Sequence, residues 1–284
     1  MKAIKTTLLL TALTLLLLEV GSYFGGQRGM TIALFMAVIM NGVAYFFSDK
    51  IALASSGAHP VSREQAPRLY AVMERLCGKA NLPMPKLYII PQPAPNAFAT
   101  GRNPRHASVA VTAGLLELMD DEELEGVIAH ELSHVRNYDI LTSSIAATLA
   151  GAITWIAEIG RWGLMFGGMG GDRDDDRGGG LAAILMLILA PFAALLLQLG
   201  ISRQREYQAD ASGARMVGHP YGLIRALEKL GAYNKRIPMD VPPSTSSLFI
   251  VAPLSARQLL TGLFSTHPPL SERIAALRNM TVTR

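Results

Sequence analysis

"VIAHELSHVRNYD", residues 127–139, places two histidines and a glutamate inside a stretch that is otherwise mostly apolar or small. In a helix, residues four apart lie one above the other on the same face. His130 and His134 can therefore direct imidazole nitrogens at one point, while Glu131, offset by about 100°, stands beside them. His-Glu-x-x-His on a helix is a metal-binding spacing in which the histidines hold zinc and the glutamate acts as general base. Gly126, Val127, Ile128, Ala129, Leu132 and Val135 flank the triplet, so the helix is a packed one whose polar groups need partners. The competing reading is a pair of core histidines bonded to nearby carboxylates.

A catalytic metal needs three protein ligands and one open position. "SRQREYQADASGARM", residues 202–216, carries Glu206 with Asp210 one helical turn later. Glu206 is the candidate third ligand, and Asp210 is placed to accept the second ring N–H of a liganding histidine, fixing its tautomer. Taken alone, the same acids would form an exposed face paired with Arg203 and Arg205; the histidine pair reverses that preference. Asn137 and Asp139, just beyond His134, are further candidates to support the ligands.

Outside these segments the chain is oily. Of its 284 residues 50% are hydrophobic and 17% charged, with a net charge of +4, a composition that points to a membrane protein. Basic residues are scattered without interleaved aromatics, which argues against a nucleic-acid partner. Cys77 is the single cysteine, so no intramolecular disulfide and no cysteine-rich metal cluster can form. Four apolar runs, 6–24, 30–47, 140–162 and 181–201, each approach the roughly 20 residues a helix needs to cross the bilayer. The first imitates a signal peptide, but no small-x-small cleavage site follows it, and it reads as a retained anchor. The 21–29 connection offers only Arg28, and the loop "GGMGGDRDDDRGGG", residues 167–180, has four Asp against two Arg. Lys50, Arg63, Arg203, Arg205, Lys229, Lys235 and Arg236 lie on the other side, which the positive-inside bias makes cytoplasmic together with both termini. The acidic loop lacks the ligand order of a calcium site and reads as a solvated connection.

The domain layout follows: a transmembrane hairpin at 1–48, a cytoplasmic segment at 49–139, a second hairpin at 140–201 and a cytoplasmic segment at 202–284. In the first cytoplasmic segment, residues 62–82 read as a helix with Leu69, Met73 and Leu76 on one face. "KLYII" and "ASVAVT" read as strands, "NAFATG" as a weaker one, and 112–139 as a helix whose acids Asp120 to Glu123 suit an N-terminus. A short edge strand over Asn96, Ala97, Phe98 and Ala99, just before the histidine helix, is a candidate to pair with an extended substrate through main-chain hydrogen bonds.

Taken together, "HELSHVRNYD", the Glu206/Asp210 pair, "NAFATG" and the late "HPPLSER" at 267–273 resemble the HtpX-type membrane metalloproteases, the gluzincin family shared with the CAAX prenyl endopeptidases. The resemblance covers nearly the whole chain. It implies a mainly α membrane protein of four transmembrane helices with a cytoplasmic zincin-like α+β domain containing a small β-sheet. It also implies a zinc-dependent endopeptidase holding one Zn2+ per subunit, in the bacterial inner membrane, with a cytoplasmic active site. Misfolded or damaged membrane proteins are the implied substrates, membrane lipid the surroundings, and a second copy or another quality-control protease a candidate partner. It places the late His-Pro segment at the active site, making His267 and Arg273 candidate donors to the oxyanion of the tetrahedral intermediate. A CAAX-type prenyl-protein endopeptidase shares the chemistry, and a membrane scaffold or transporter would explain the spans while leaving the His-Glu-His geometry idle.

Overall fold

The computed structural model describes residues 2–167, 202–234, 236, 237, 239, 241–253 and 267–281. The fourth apolar run and all but the first residue of the Gly- and Asp-rich loop lie outside the described residues.

Helix α1, Lys2–Ser55, is interrupted at Gly26, whose φ of 55° and ψ of −141° leave the helical region. Its two halves pack side by side. Asn41 Nδ2 donates to Thr14 Oγ1 (2.9 Å) and to the Leu10 carbonyl (3.3 Å) across the hairpin, and Gly21 lies against the backbone of Gly29. Both halves are long and apolar enough to cross a membrane. Leu15, Ile32, Phe35 and Val38 are exposed, as lipid-facing side chains would be. The connection read at 21–29 narrows to a kink at Gly26, whose positive φ breaks the helix and lets the two halves turn back on each other. Helix α5, Asp139–Gly167, covers the third apolar run. It packs on α1 through Leu9, Leu13, Ala44, Ile145, Leu149 and Ile153.

The sheet is small, with order β1-β2-β4-β3. β2 (Lys86–Ile90) runs parallel to β4 (Ala107–Thr112), β3 (Ala97–Gly101) pairs antiparallel with β4, and the two-residue β1 (His59–Pro60) joins β2 antiparallel. Because β3 lies at the sheet edge, alternate residues turn their backbone groups outward. Thr112 N donates to Asn96 O, so Phe98 and Thr100 bond β4 while Ala97 and Ala99 face away from it.

Helix α2 (Pro67–Ala80) covers the sheet with Leu69, Val72, Met73 and Leu76 buried, and Asn81 in the left-handed region ends it. The helix expected over 112–139 is two helices, α3 (Ala113–Leu118) and α4 (Asp121–Arg136). Asp120 separates them by capping α4: its Oδ1 accepts from Glu123 N at 2.8 Å and its N–H donates to Glu123 Oε2 at 2.9 Å. α6 (Arg203–Val217) and α7 (Tyr221–Asn234) flank α4, followed by the short α8 (Pro243–Ser246) and by α9 (Leu270–Arg278). α4 is therefore the central helix, with Leu124, Val127, Ile128, Leu132 and Val135 at 0% exposure.

Close approach of α4 to α7 rests on glycine. A Cβ on Gly222 would collide with the Glu122 carbonyl, and one on Gly126 would stand 2.5 Å from Leu223 N. Gly222→Ala is expected to lower stability by about 1–3 kcal/mol, because backbone must move to admit the methyl. Gly42→Ala, with nothing within 4 Å of the new carbon, is the control in thermal unfolding of the detergent-solubilised chain.

Candidate active site

Packing of α6 across α4 brings the separated polar residues together. His130 Nε2 and His134 Nε2 face each other at 3.2 Å. Glu206 approaches from α6 with Oε1 3.5 Å from His134 Nε2 and Oε2 3.8 Å from His130 Nε2. One donor atom from each of these three residues lies within 4.8 Å of the others. His130, Glu131 and Glu206 are at most 5% exposed, and the cleft they line is narrow, with a volume of about 30 Å³.

Asp210, one turn beyond Glu206, lies behind His130 with Oδ1 2.9 Å from Nδ1. That contact assigns the ring proton to Nδ1 and leaves the Nε2 lone pair facing the cluster. Arg273 Nη2, 3.4 Å from the same Nδ1, is then a neighbour and not its donor. Burial holds His130 down to about 4, against the opposing pull of Asp210. Burial pushes Asp210 up, but Arg273 and His130 outweigh it and hold the carboxyl at about 2. For Glu206 burial likewise acts upward, and His267, His134 and Arg273 overcome it, keeping its carboxyl well below the ordinary range. His134 moves the other way: burial alone would lower it, and its bond to Asp139 with the charges of Glu206 and Glu131 raises it.

The donor set suits a cation. Two imidazole nitrogens and a carboxylate are borderline and hard donors of the kind zinc takes. Glu206 Oε2 is buried without an aligned hydrogen-bond partner, although His267 Nδ1 stands 3.1 Å away. Arg273 Nη1 lies 3.7 Å from the same oxygen, and a cation between the three donors would meet the lone pairs that these neighbours leave unaligned.

Glu131 points at the sheet. Its carboxylate accepts from the Ala99 N–H, and burial raises it to about 7. The outward edge of β3 is thus aimed into the cleft at Ala99. At Ala97 the same edge is taken, since Ile250 N donates to Ala97 O at 2.9 Å. Asn96 is also engaged, its Nδ2 donating to Val251 O at 2.7 Å, and the Phe98 ring stacks edge-on with Phe249 at 4.9 Å. Of the four strand residues read from sequence, only Ala99 lines the cleft.

His267 reaches both sides of the cleft, with Nε2 3.2 Å from Ser247 O and Nδ1 near Glu206. Arg273 is 0% exposed. Its Nε and Nη2 fork both Asp210 oxygens at 2.8 and 2.7 Å, and Nη1 donates to Ile250 O at 2.9 Å. Asp139 accepts from His134 Nδ1 at 3.4 Å and pairs with Arg205 at 3.6 Å. Asn137 is not part of the cleft lining; it ends α4, its backbone N–H donating to Ser133 O. The sequence marks 247–264 as an apolar stretch fit for the core, the bilayer surface or a cover of the cleft; Ser247, Leu248, Phe249 and Ile250 form a wall of the cleft. Its apolar character alone does not choose among those uses, because its place is set by partners far away in the chain.

Two long apolar helices joined to a His-Glu-x-x-His helix, with a carboxylate facing both imidazoles, define a membrane metalloprotease. The chain belongs to peptidase family M48, whose sequence pattern matches residues 62–281. It is 59% identical over 274 residues to a protease HtpX homolog of Desulfatibacillum aliphaticivorans, covering 96% of this chain and 88% of the relative. A protease HtpX homolog of Syntrophobacter fumaroxidans is 53% identical over 278 residues, with 97% and 98% covered. Among solved structures, S. mikatae Ste24p shares the fold with a TM-score of 0.53 at 23% identity, over 97% of this chain and 65% of that one.

Proposed function

We propose that this chain is a zinc-dependent endopeptidase that cleaves misfolded or damaged membrane proteins at the cytoplasmic face of a bacterial inner membrane. The carrying observation is the convergence of His130, His134 and Glu206 beside Glu131 and the outward edge of β3. In this reading the chain crosses the membrane four times, with both termini and the cleft on the cytoplasmic side, as the distribution of Lys and Arg favours. His130, His134 and Glu206 hold the zinc, and Asp210 and Asp139 orient the two rings. When bound there, zinc supplies Lewis acidity toward a peptide carbonyl and lowers the pKa of water toward ~7.

The remaining steps belong to the protein. An extended substrate segment lies along β3 and donates to the Ala99 carbonyl, since the Ala99 N–H is held by Glu131 and the edge at Ala97 is closed by Ile250; a main-chain bond holds it with little demand on its sequence. Glu131 takes the proton of the attacking water and returns it to the leaving amine. His267, at the cleft wall, donates to the oxyanion of the tetrahedral intermediate by turning its Nε2–H from the Ser247 carbonyl, 3.2 Å away. Arg273 has its fork spent on Asp210 and acts as a positioning residue.

Metal removal tests this reading. Casein cleavage by the detergent-purified chain is expected to fall to background with 1,10-phenanthroline and to return when zinc is restored to about one ion per chain. Cleavage that persists in metal-free protein would sink the proposal.

A further inference from the structure

We propose that the cleft between the β3–β4 turn and the junction of α4 with α5 binds the phosphate of an anionic phospholipid. The inference rests on α1 and α5 being membrane spans. Arg136 is the last residue of α4, and Asp139 begins α5, so Arg136 and Tyr138 sit at the entry to the third apolar run. Thr100 and Ser144 share a 2.7 Å hydrogen bond, which brings the end of β3 against the second turn of α5. Arg102 then lies over the Phe46 ring at 5.7 Å, near the end of the second apolar run. The turn at 102–106 is thereby held at the level where both helices leave the hydrocarbon.

Between these elements lies a cleft of about 780 Å³ lined by Asn103, Arg105, Arg136 and Tyr138, among others, with no acid in its wall. Arg105, Arg136 and Tyr138 are exposed. Several exposed cations of the soluble part have anionic partners in the protein, Arg63 with Glu74, Arg75 with Glu125, Arg225 with Glu122 and Arg278 with Glu228, whereas Arg105 and Arg136 face one cleft with no acid among its lining residues. At this cleft the described residues supply no such partner, and the fixed anions of a bilayer surface would stand where the carboxylates are missing. Tyr138 adds a second mark. It adopts a left-handed φ of 59°, uncommon for a bulky residue, and is half exposed, a placement suited to a phenol at the headgroup level. Two guanidiniums spaced around a polar cleft recognise phosphate oxygens through charge-assisted hydrogen bonds.

The test uses the full chain in detergent, with bound lipid counted by native mass spectrometry during titration with phosphatidylglycerol, phosphatidylcholine or inorganic phosphate. The native chain is expected to prefer phosphatidylglycerol. Arg105→Gln with Arg136→Gln should weaken that binding roughly 30-fold, since each cation near an anionic surface contributes about 5-fold. Lysine at both positions should restore most of it, and glutamine at Arg63 and Arg278 should leave it unchanged. Inorganic phosphate that binds with the same variant dependence, while neither lipid is preferred, would overturn the bilayer as the source. Equal phosphatidylglycerol binding by the native chain and the double glutamine variant would overturn the site itself. Neither readout involves zinc or cleavage, so failure here and failure of the peptidase reading are distinguishable.

Discussion

Glu131→Gln is expected to reduce casein cleavage by about 10²–10⁴-fold, the usual contribution of a positioned general base, while zinc content stays at that of the native chain. Glutamine keeps the size of the side chain and an oxygen that can accept the Ala99 N–H now bonded to Glu131. What it loses is the ability to take a proton from water and hand it to the leaving amine. His130, His134 and Glu206, the three residues whose donor atoms converge, are untouched, so metal binding and catalysis separate in this one variant. Metal content and cleavage rate on the same preparation check it. Zinc lost together with activity would reassign Glu131 to holding the metal site together. Cleavage equal to that of the native chain would remove it from the chemistry.

Legibility in the sequence follows the range of the interactions involved. The central helix is readable because its signals are local: acids at its start, a His-Glu-x-x-His spacing, and apolar residues all round. Its division from α3 at Asp120 is less so, since 112–119 is apolar and helix-compatible, although the Asp120 and Glu123 spacing of a capping box is present in the string. β2 and β4 show as short β-branched runs, whereas β1 is two residues whose strand character exists only through pairing with Tyr88 and Ile89. The wall at 247–250 shows only as part of an apolar stretch, and its placement is undecided for a related reason. Its fixing bonds run to Ala97, His267 and Arg273, and Asn96 bonds the adjoining Val251, none of these partners being sequence neighbours. Arg273 shows the limit most directly: an arginine in a polar stretch reads as a mobile donor, and only the fold makes it a fully buried one.

That burial gives the second large expectation, for Arg273→Met. The substitution leaves Asp210, 2% exposed, as a buried carboxylate bonded only to His130, and removing one partner of such a pair costs about 3–5 kcal/mol. Unfolding of the detergent-solubilised protein by heat or urea measures the loss. Zinc affinity is expected to fall about 10–100-fold as well, as for other partners that orient a liganding histidine, because Asp210 held by the Arg273 fork is what fixes the His130 ring. Lysine should not rescue either property. Its single ammonium cannot reproduce two parallel bonds to Asp210 together with a third to Ile250 O. The companion Asp210→Asn should restore part of the stability to Arg273→Met, since the uncompensated charge is gone while an oxygen remains for His130 Nδ1. Additive losses in the double variant would mean that the two side chains are independent, and Arg273 would then need another role, with its donation to Ile250 O, which holds the cleft wall against β3, as the remaining bond to explain its burial.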